Sequence, residues 1–247
     1  MSLAIRHRVE FHENLPEDSV IIHACMHIAQ FLSCQKRSSM NKAISYGYEV
    51  FRKAIHLSSL WMVASIAYFP KWFNIALFAS LLTVLLFVEY GNHKRWPIFT
   101  KTYGAMFNRI LREEETQESF HPSGAPHLIA GALTVTILFP EIVAMTALSV
   151  MLVGDTFAAL IGRKLGRHKI NAGTKSIEGS IAFWLFSFIV LILFWHTSSQ
   201  PLSFILFGTL GITLAMFAEI YENHLHIDDN FSIPVIVGLC LVATYYL

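Results

Sequence analysis

The chain has 247 residues, of which 54% are apolar and only 14% are charged. This composition is typical of an integral membrane protein and excludes an ordinary soluble domain. The formal net charge of +1 by itself says little about partners. We expect no nucleic-acid partner.

Residues 1–45 are predicted to form an N-terminal segment that lies in the cytoplasm or at the membrane surface. Within it, residues 20–32 carry apolar side chains at helical spacing but are too few to span a bilayer. This pattern predicts an interfacial amphipathic helix. His23 and His27 stand four residues apart, but the sequence offers them no third metal ligand.

About seven apolar stretches that could cross a bilayer follow, joined by short connections. They are Ala54–Phe69, Trp72–Tyr90, His127–Phe139, Ile142–Ile161, Ser180–His196, Leu202–Ile220 and Ser232–Leu247. The pattern predicts an all-α fold, a polytopic helical bundle formed by residues 46–247. Several stretches are shorter than the roughly 20 residues that cross an untilted bilayer, so their bounds are approximate.

Basic residues cluster in alternate connections of this bundle. They are Arg52 and Lys53 before the first stretch, Lys94, Arg95, Lys101, Arg109 and Arg112 after the second, and Arg163, Lys164, Arg167, Lys169 and Lys175 after the fourth. Because basic loops stay in the cytoplasm, we expect the N-terminus inside and the C-terminus outside. The polar groups described next then all fall on the cytoplasmic side.

A polar stripe precedes the first stretch. Its members are Glu49, Arg52, Lys53 and His56, which share one face of a helix because they stand at i, i+3, i+4 and i+7. One interpretation is a Glu49–Lys53 helix pair with cations that reach the membrane edge. The other is a cationic patch for phosphate, oriented by Glu49.

Asp155 lies deep in the fourth apolar stretch. A charge at this depth costs about 2.5–3.5 kcal/mol on insertion scales, so it marks a candidate functional site. Gly154, Ala158 and Gly162 stand four residues apart and predict close helix packing, which does not explain the carboxylate. Asp155 could bind Mg²⁺ near a phosphate or orient a hydroxyl nucleophile.

The segment after the fourth stretch is basic, contains Gly166 and ends where the next helix begins. Backbone N–H groups at a helix start, with Lys175 nearby, would attract phosphate. The alternative is a loop that only sets topology, although this does not explain why Lys175, Glu178 and Gly179 lie so close together. A P-loop is excluded, because no G-x-x-x-x-G-K-[ST] sequence is present.

Acidic residues also surround the connection between the last two stretches. Asp228 and Asn230 are of the residue types that commonly cap helices. Glu219 and Asp229 could together complete a cation site.

Four motifs occur in order along the chain. They are Glu49-x-x-Arg52-Lys53-x-x-His56; Gly154-Asp155 with Gly162 and Gly166; Thr174-Lys175-Ser176-Ile177-Glu178-Gly179; and Glu219 with Asp229-Asn230-x-x-x-Pro234. In this order they resemble the family of dolichol kinases, phytol kinases and yeast-type diacylglycerol kinases, the polyprenol kinases. The resemblance runs from about Glu49 to Gly238. Members of this family phosphorylate lipid alcohols in membranes, commonly with CTP as the donor.

Together the motifs and the resemblance imply a kinase that uses CTP and Mg²⁺ to phosphorylate a lipid alcohol at the cytoplasmic face. The chain is shorter than dolichol kinases. This difference favours phytol, a shorter prenol or diacylglycerol as the acceptor. The implied catalytic residues are Asp155, Lys175 and Glu178. The implied nucleotide or phosphate contacts are Arg52, Lys53, His56, Gly162, Gly166, Thr174 and Gly179. The implied metal ligands are Asp155, Glu219 and Asp229, supported by Glu49 and Asn230.

Three alternatives stay open at the level of the sequence. A phosphatidate cytidylyltransferase would use the same nucleotide and metal but release pyrophosphate. A transporter could use Asp155 as an ion site, although the polar groups collect on one side and no internal repeat is evident. A catalytically inactive family member could serve as a scaffold.

Overall fold

A computed structural model describes residues 46–97, 122–170, 175–221 and 227–246. The predicted N-terminal segment, with His23 and His27, lies outside the described residues. So does Thr174, one of the predicted phosphate contacts.

The described residues form a helical bundle with one short hairpin. The elements are α1 (Tyr46–Ser58), α2 (Trp61–Tyr68), α3 (Lys71–His93), α4 (Gly124–Leu138), α5 (Glu141–Leu165), β1 (Lys169–Ile170), β2 (Lys175–Ser176), α6 (Ile177–Thr197), α7 (Leu202–Ile220), α8 (Asp229–Val242) and a terminal 3₁₀-helix (Ala243–Tyr246). The two strands pair antiparallel, with Lys169 opposite Ser176. The predicted all-α membrane fold is confirmed.

Five segments in the described part of the chain are long and apolar enough to cross a membrane. They are α3, α5, α6, α7, and α8 together with the 3₁₀-helix. The α4 helix is also apolar but has only 15 residues. The predicted total of seven spans therefore stays a prediction.

The first predicted stretch, Ala54–Phe69, is divided into two helices. The Ser58 hydroxyl donates a hydrogen bond to the Ile55 carbonyl at 2.6 Å. This side-chain bond competes with the backbone hydrogen bonds of a regular helix. The next two amides, of Ser59 and Leu60, bond the carbonyls three residues earlier at 3.1 Å, so the chain tightens into a turn. The Ser58-Ser59 pair in the sequence is the one local sign of this break in a mostly apolar stretch.

The α5 helix is the centre of the bundle and packs against α1, α2, α4, α6 and α8. Its fully buried side chains include Val143, Ala147, Leu148, Met151 and Leu152. The outer helices instead expose apolar side chains on their far faces, for example Leu193, Leu206 and Leu210. Such a surface suits a lipid environment, in which exposed apolar groups cost nothing.

The predicted close packing of α5 is confirmed at its small residues. A Cβ atom added to Gly162 would lie 3.3 Å from the Gly179 Cα on α6. A Cβ atom added to Gly154 would lie 2.3 Å from the Ser187 Oγ, which is also on α6. The backbones of α5 and α6 therefore approach as closely as glycine allows, and their contact brings the start of α6 beside Asp155.

Helix α4 begins at a buried polar contact with α3. Ser123 caps α4 by accepting a hydrogen bond from the Ala125 amide at 3.4 Å. The Glu89 carboxylate accepts from both the amide (3.0 Å) and the hydroxyl of Ser123. Glu89, to which the sequence assigns no role, thus fixes the chain where α4 starts.

Candidate active site

A cavity of about 140 Å³ lies at the end of the bundle where α5 and α7 finish and α6 and α8 begin. Helix α1 closes one side of it. Its charged lining residues are Glu49, Arg52, Lys53, Asp155, Arg163, Lys169, Lys175, Glu219 and Asp229. Cations and carboxylates distant along the chain thus share one small, polar space.

Asp155 is paired at the centre of this cavity. Lys53 Nζ donates a hydrogen bond to Asp155 Oδ2, and His56 Nε2 lies 3.3 Å from the same oxygen. Both charged partners are almost fully buried, with Asp155 6% and Lys53 5% exposed. Because Lys53 and His56 stand three residues apart on α1, one helix face supplies both contacts. The cost of a carboxylate at this depth is therefore offset by a cation.

Lys175 joins two further carboxylates from different helices. Its Nζ lies 3.1 Å from Glu219 Oε1, at the end of α7, and 3.5 Å from Asp229 Oδ2, at the start of α8. The next residue, Ser176, caps α6 by accepting a hydrogen bond from the Gly179 amide at 3.2 Å. The hairpin and the helix start thus hold Lys175 at the cavity wall.

Glu49 links α1 to the end of α5. Its Oε1 accepts from the guanidinium of Arg52 at 2.9 Å, and its Oε2 lies 3.3 Å from Arg163 Nη2. Burial raises the pKa of Glu49, but the hydrogen bond from Arg52 and the nearby cations outweigh it, so the pKa is lowered overall. Glu49 therefore stays ionised between two guanidinium groups.

Arg163 is a cavity residue that the sequence reasoning did not select. It stands eight residues after Asp155 and so lies on the same face of α5, two turns further along. The predicted stretch ends at Ile161 and leaves Arg163 in the basic segment after it, whereas α5 continues through Arg163 to Leu165.

Glu178 does not line the cavity. Its carboxylate accepts from the backbone amides of Arg167 (3.1 Å) and His168 (3.2 Å), and its Oε1 lies 2.8 Å from the His168 ring. These contacts fold the loop between α5 and α6. Gly166 belongs to the same packing, because a Cβ atom there would lie 2.7 Å from the Ser176 Cβ.

Asn230 also lies away from the cavity lining. Its amide Nδ2 donates to Asp228 Oδ1 at 2.8 Å, and its backbone amide donates to the same oxygen at 2.9 Å. Asp228 is therefore the N-cap of α8, as its residue type predicts. Capping fixes the first turn of the helix that carries Asp229.

The cavity's donor atoms fit a Mg²⁺ ion shared with a phosphate. Glu219 Oε2 is buried and accepts no hydrogen bond from the described residues. No group of three or more His, Cys, Asp and Glu side chains in the described part of the chain is arranged to enclose a metal. Mg²⁺ is usually held by one or two carboxylates plus substrate phosphates, so two of Asp155, Glu219 and Asp229 would suffice.

Comparison with known proteins identifies the family. The chain is 29% identical over 208 residues to an uncharacterised protein of Rickettsia prowazekii, across 83% of this chain and 98% of that protein. It is 30% identical over 157 residues to CTP-dependent diacylglycerol kinase 1 of Schizosaccharomyces pombe, across 60% of this chain and 70% of that kinase. The chain belongs to the polyprenol kinase family.

Other relatives of this polyprenol kinase family member agree with the assignment. The Saccharomyces cerevisiae CTP-dependent diacylglycerol kinase 1 is 26% identical over 217 residues, across 79% of this chain and 73% of that kinase. Dolichol kinases and a probable phytol kinase also match. No family model and no solved structure matches the chain. The protein is thus a membrane-embedded transferase of the lipid kinase class.

Proposed function

We propose that this polyprenol kinase family member transfers the terminal phosphoryl group of CTP to the hydroxyl group of phytol, a shorter prenol or diacylglycerol. The observation that carries the proposal is that Lys53, Lys175 and four carboxylates line one cavity. The named activity of the yeast relatives, CTP-dependent diacylglycerol kinase, supports the donor and the acceptor class.

The cations of the cavity would bind the phosphate groups of the donor. Arg52 offers a planar fork that suits two phosphate oxygens, and Lys53 and Lys175 offer point charges. Asp155, with Glu219 or Asp229, would hold Mg²⁺, which supplies charge neutralisation at the phosphates. Phosphoryl transfer depends mainly on such positioning and electrostatic stabilisation.

The reaction then needs few further groups. The lipid hydroxyl oxygen attacks the terminal phosphorus, the bond from that phosphorus to the bridging oxygen breaks, and CDP leaves. The hydroxyl proton passes to a carboxylate of the cavity. We assign no part in this step to Glu178, because its contacts with Arg167 and His168 account for it as a loop-forming residue.

The cavity is proposed to face the cytoplasm. The basic residues around it, such as Lys164 and Arg167, are of the kind that stay on that side of a membrane. The lipid hydroxyl would lie at the interface with its tail among the helices, and the nucleotide would enter from the aqueous side.

The test uses the purified full chain in lipid nanodiscs with Mg²⁺ and CTP labelled either at the terminal phosphate or at the α-phosphate. Phytol, prenols, diacylglycerol and phosphatidate are offered separately, and ATP replaces CTP in a parallel series. We expect the terminal label to enter an alcohol and the α-label to remain in CDP. An α-label in the lipid, with release of pyrophosphate, would instead identify a cytidylyltransferase. Absence of labelled lipid with every acceptor would refute the proposal.

A further inference from the structure

We infer that Arg163 is a phosphate-binding residue of this cavity and that the buried Glu49 positions it. The inference deepens the proposed function and rests on it. Arg163 is not part of the four motifs. It is a cation at the end of the α1–α5 contact that lies away from Asp155.

The contact between α1 and α5 includes two pairs of oppositely charged side chains. Lys53 meets Asp155, and Glu49 meets Arg163 at 3.3 Å. Along this contact α1 runs opposite to α5, because the earlier residue of α1 meets the later residue of α5. The two pairs therefore lie in sequence along one wall of the same cavity.

The partners of the outer pair differ sharply in exposure. The side chain of Glu49 is only 2% exposed, whereas that of Arg163 is 39% exposed. The carboxylate thus lies inside the protein, and the guanidinium that it contacts is partly exposed where it lines the cavity. Arg52, whose side chain is 30% exposed, contacts the other oxygen of the same carboxylate.

This arrangement orients two guanidinium groups from different helices around one anchor. A guanidinium carries five N–H donors in a fixed fork, enough to contact a carboxylate and a phosphate together. Charge-assisted contacts of this kind favour groups with several anionic oxygens, so the pair is suited to the outer phosphates of a nucleoside triphosphate.

A cation that only sets membrane topology needs no buried partner. Lys164 provides the contrast, since it follows Arg163 directly on α5 and is likewise exposed but is not among the residues that line the cavity. The buried carboxylate of Glu49 thus distinguishes Arg163 from its neighbour in the last turn of α5.

The experiment measures equilibrium binding of CTP, CDP and CMP, each with Mg²⁺, to the purified full chain in nanodiscs. We expect Arg163→Ala to weaken CTP binding by about 10-fold or more and CMP binding by less than about 2-fold. Arg163→Lys should fall between Arg163→Ala and the unaltered chain, because it keeps the charge and loses the fork. Lys164→Ala is the matched control and should leave all three affinities unchanged.

The role of Glu49 is tested by combining substitutions. Glu49→Gln should weaken CTP binding in the unaltered chain and weaken it less in the Arg163→Ala background, because only its contact with Arg52 is then left to lose. A general loss of structure would instead lower CTP and CMP binding alike, and that result would overturn the positioning role.

The outcomes also separate this inference from the function on which it rests. If the unaltered chain phosphorylates a lipid but Arg163→Ala binds CTP as tightly as Lys164→Ala does, the inference is wrong and the proposed function stands. If Arg163→Ala does not fold, unchanged CTP affinity in Arg163→Lys overturns the inference. If the unaltered chain transfers no phosphate to any lipid and does not prefer CTP to CMP, both proposals fail.

Discussion

Asp155 carries a charge at membrane depth because two side chains of α1 face it. Insertion of such a residue costs about 2.5–3.5 kcal/mol when the charge stands alone. Lys53 donates to it directly, and His56 lies 3.3 Å away. Removal of one partner from a buried pair typically costs about 3–5 kcal/mol, because the other charge stays buried. The residues that we propose to serve the reaction therefore also support the fold.

The first prediction follows from this double role. Asp155→Asn should lower the transfer rate at least about 100-fold, because it removes a carboxylate from the reacting cavity. It should also lower the midpoint of thermal unfolding, since Lys53 loses its counter-ion. Both quantities are measured on the same purified sample.

The matched control for Asp155 is its neighbour Thr156. This residue is buried, donates its hydroxyl to the Leu152 carbonyl at 2.6 Å and does not line the cavity. Thr156→Val should keep nearly full activity. Full activity in Asp155→Asn would contradict its assigned role.

A second prediction concerns Lys175. Lys175→Ala should reduce transfer at least about 100-fold, because Glu219 and Asp229 then face each other without their common cation and the donor phosphates lose a charge. The readout is phosphate transfer at saturating acceptor. Lys71→Ala is the comparison, since its Nζ lies 3.3 Å from the Phe139 carbonyl at the other end of the bundle. Equal losses in the two variants would show that the effect is not specific to the cavity.

At the scale of elements, helix ends supply several of the charged groups of the cavity. Glu219 lies at the end of α7, Asp229 at the start of α8, and Lys175 just before the N-cap of α6. The placement of these groups therefore depends on how closely the helices approach one another. Where two backbones meet at a glycine, even one methyl group should move a helix and the side chain at its end.

Gly131 supplies the third prediction. A Cβ atom at this position of α4 would lie 2.7 Å from the Asn230 carbonyl oxygen and 3.3 Å from Pro234 Cγ, both on α8. Gly131→Ala should therefore cost about 1–3 kcal/mol of stability by overpacking, and it should shift the helix start that carries Asp229. We expect lower thermal stability and lower transfer activity, although Gly131 does not line the cavity.

The control for Gly131 lies on the same helix. Ile137 is 47% exposed, so Ile137→Ala should change both measurements little. A Gly131→Ala protein with unaltered stability would show that α8 adapts to the added methyl group at no cost.

The sequence predicted the elements better than the contacts between them. Apolar length identified the spans, and helical spacing brought Glu49, Lys53 and His56 to one face, because both patterns are local. The contacts of Glu178 with the α5–α6 loop and of Glu89 with Ser123 could not be read in this way, because they depend on how distant segments pack. The resemblance supplied the expectation that Asp155 and Lys175 share a site, which no local pattern contains.

At the scale of the whole bundle, the described residues include aromatic side chains exposed at both ends. At the cavity end they are Tyr46, Tyr90, Trp96 and Tyr221, and at the other end Tyr68, Trp72, Tyr245 and Tyr246. Tyrosine and tryptophan concentrate at the two membrane–water interfaces. The two groups indicate a bundle that spans the bilayer, with the cavity near one interface.

The orientation of this bundle gives the fourth prediction. In a chain whose native cysteines have been replaced, Lys164→Cys lies at the cavity end and Thr197→Cys at the opposite end, both exposed. In sealed membrane vesicles with the cytoplasmic face outward, a membrane-impermeant maleimide should label Lys164→Cys at once. Thr197→Cys should react only after permeabilisation. The reverse pattern would contradict a cytoplasmic cavity.

Helix α1 has its charged side chains inside the bundle and apolar side chains on its outer face, which affects how the protein should be purified. This helix turns Glu49 and Lys53 inward and exposes Val50, Phe51 and Ile55 outward. We expect lipid hydrocarbon to cover this apolar face and so to favour the packing of α1, which carries Lys53, against the bundle. A detergent that strips this lipid should loosen this packing, so catalytic competence should follow the annular lipid retained during purification.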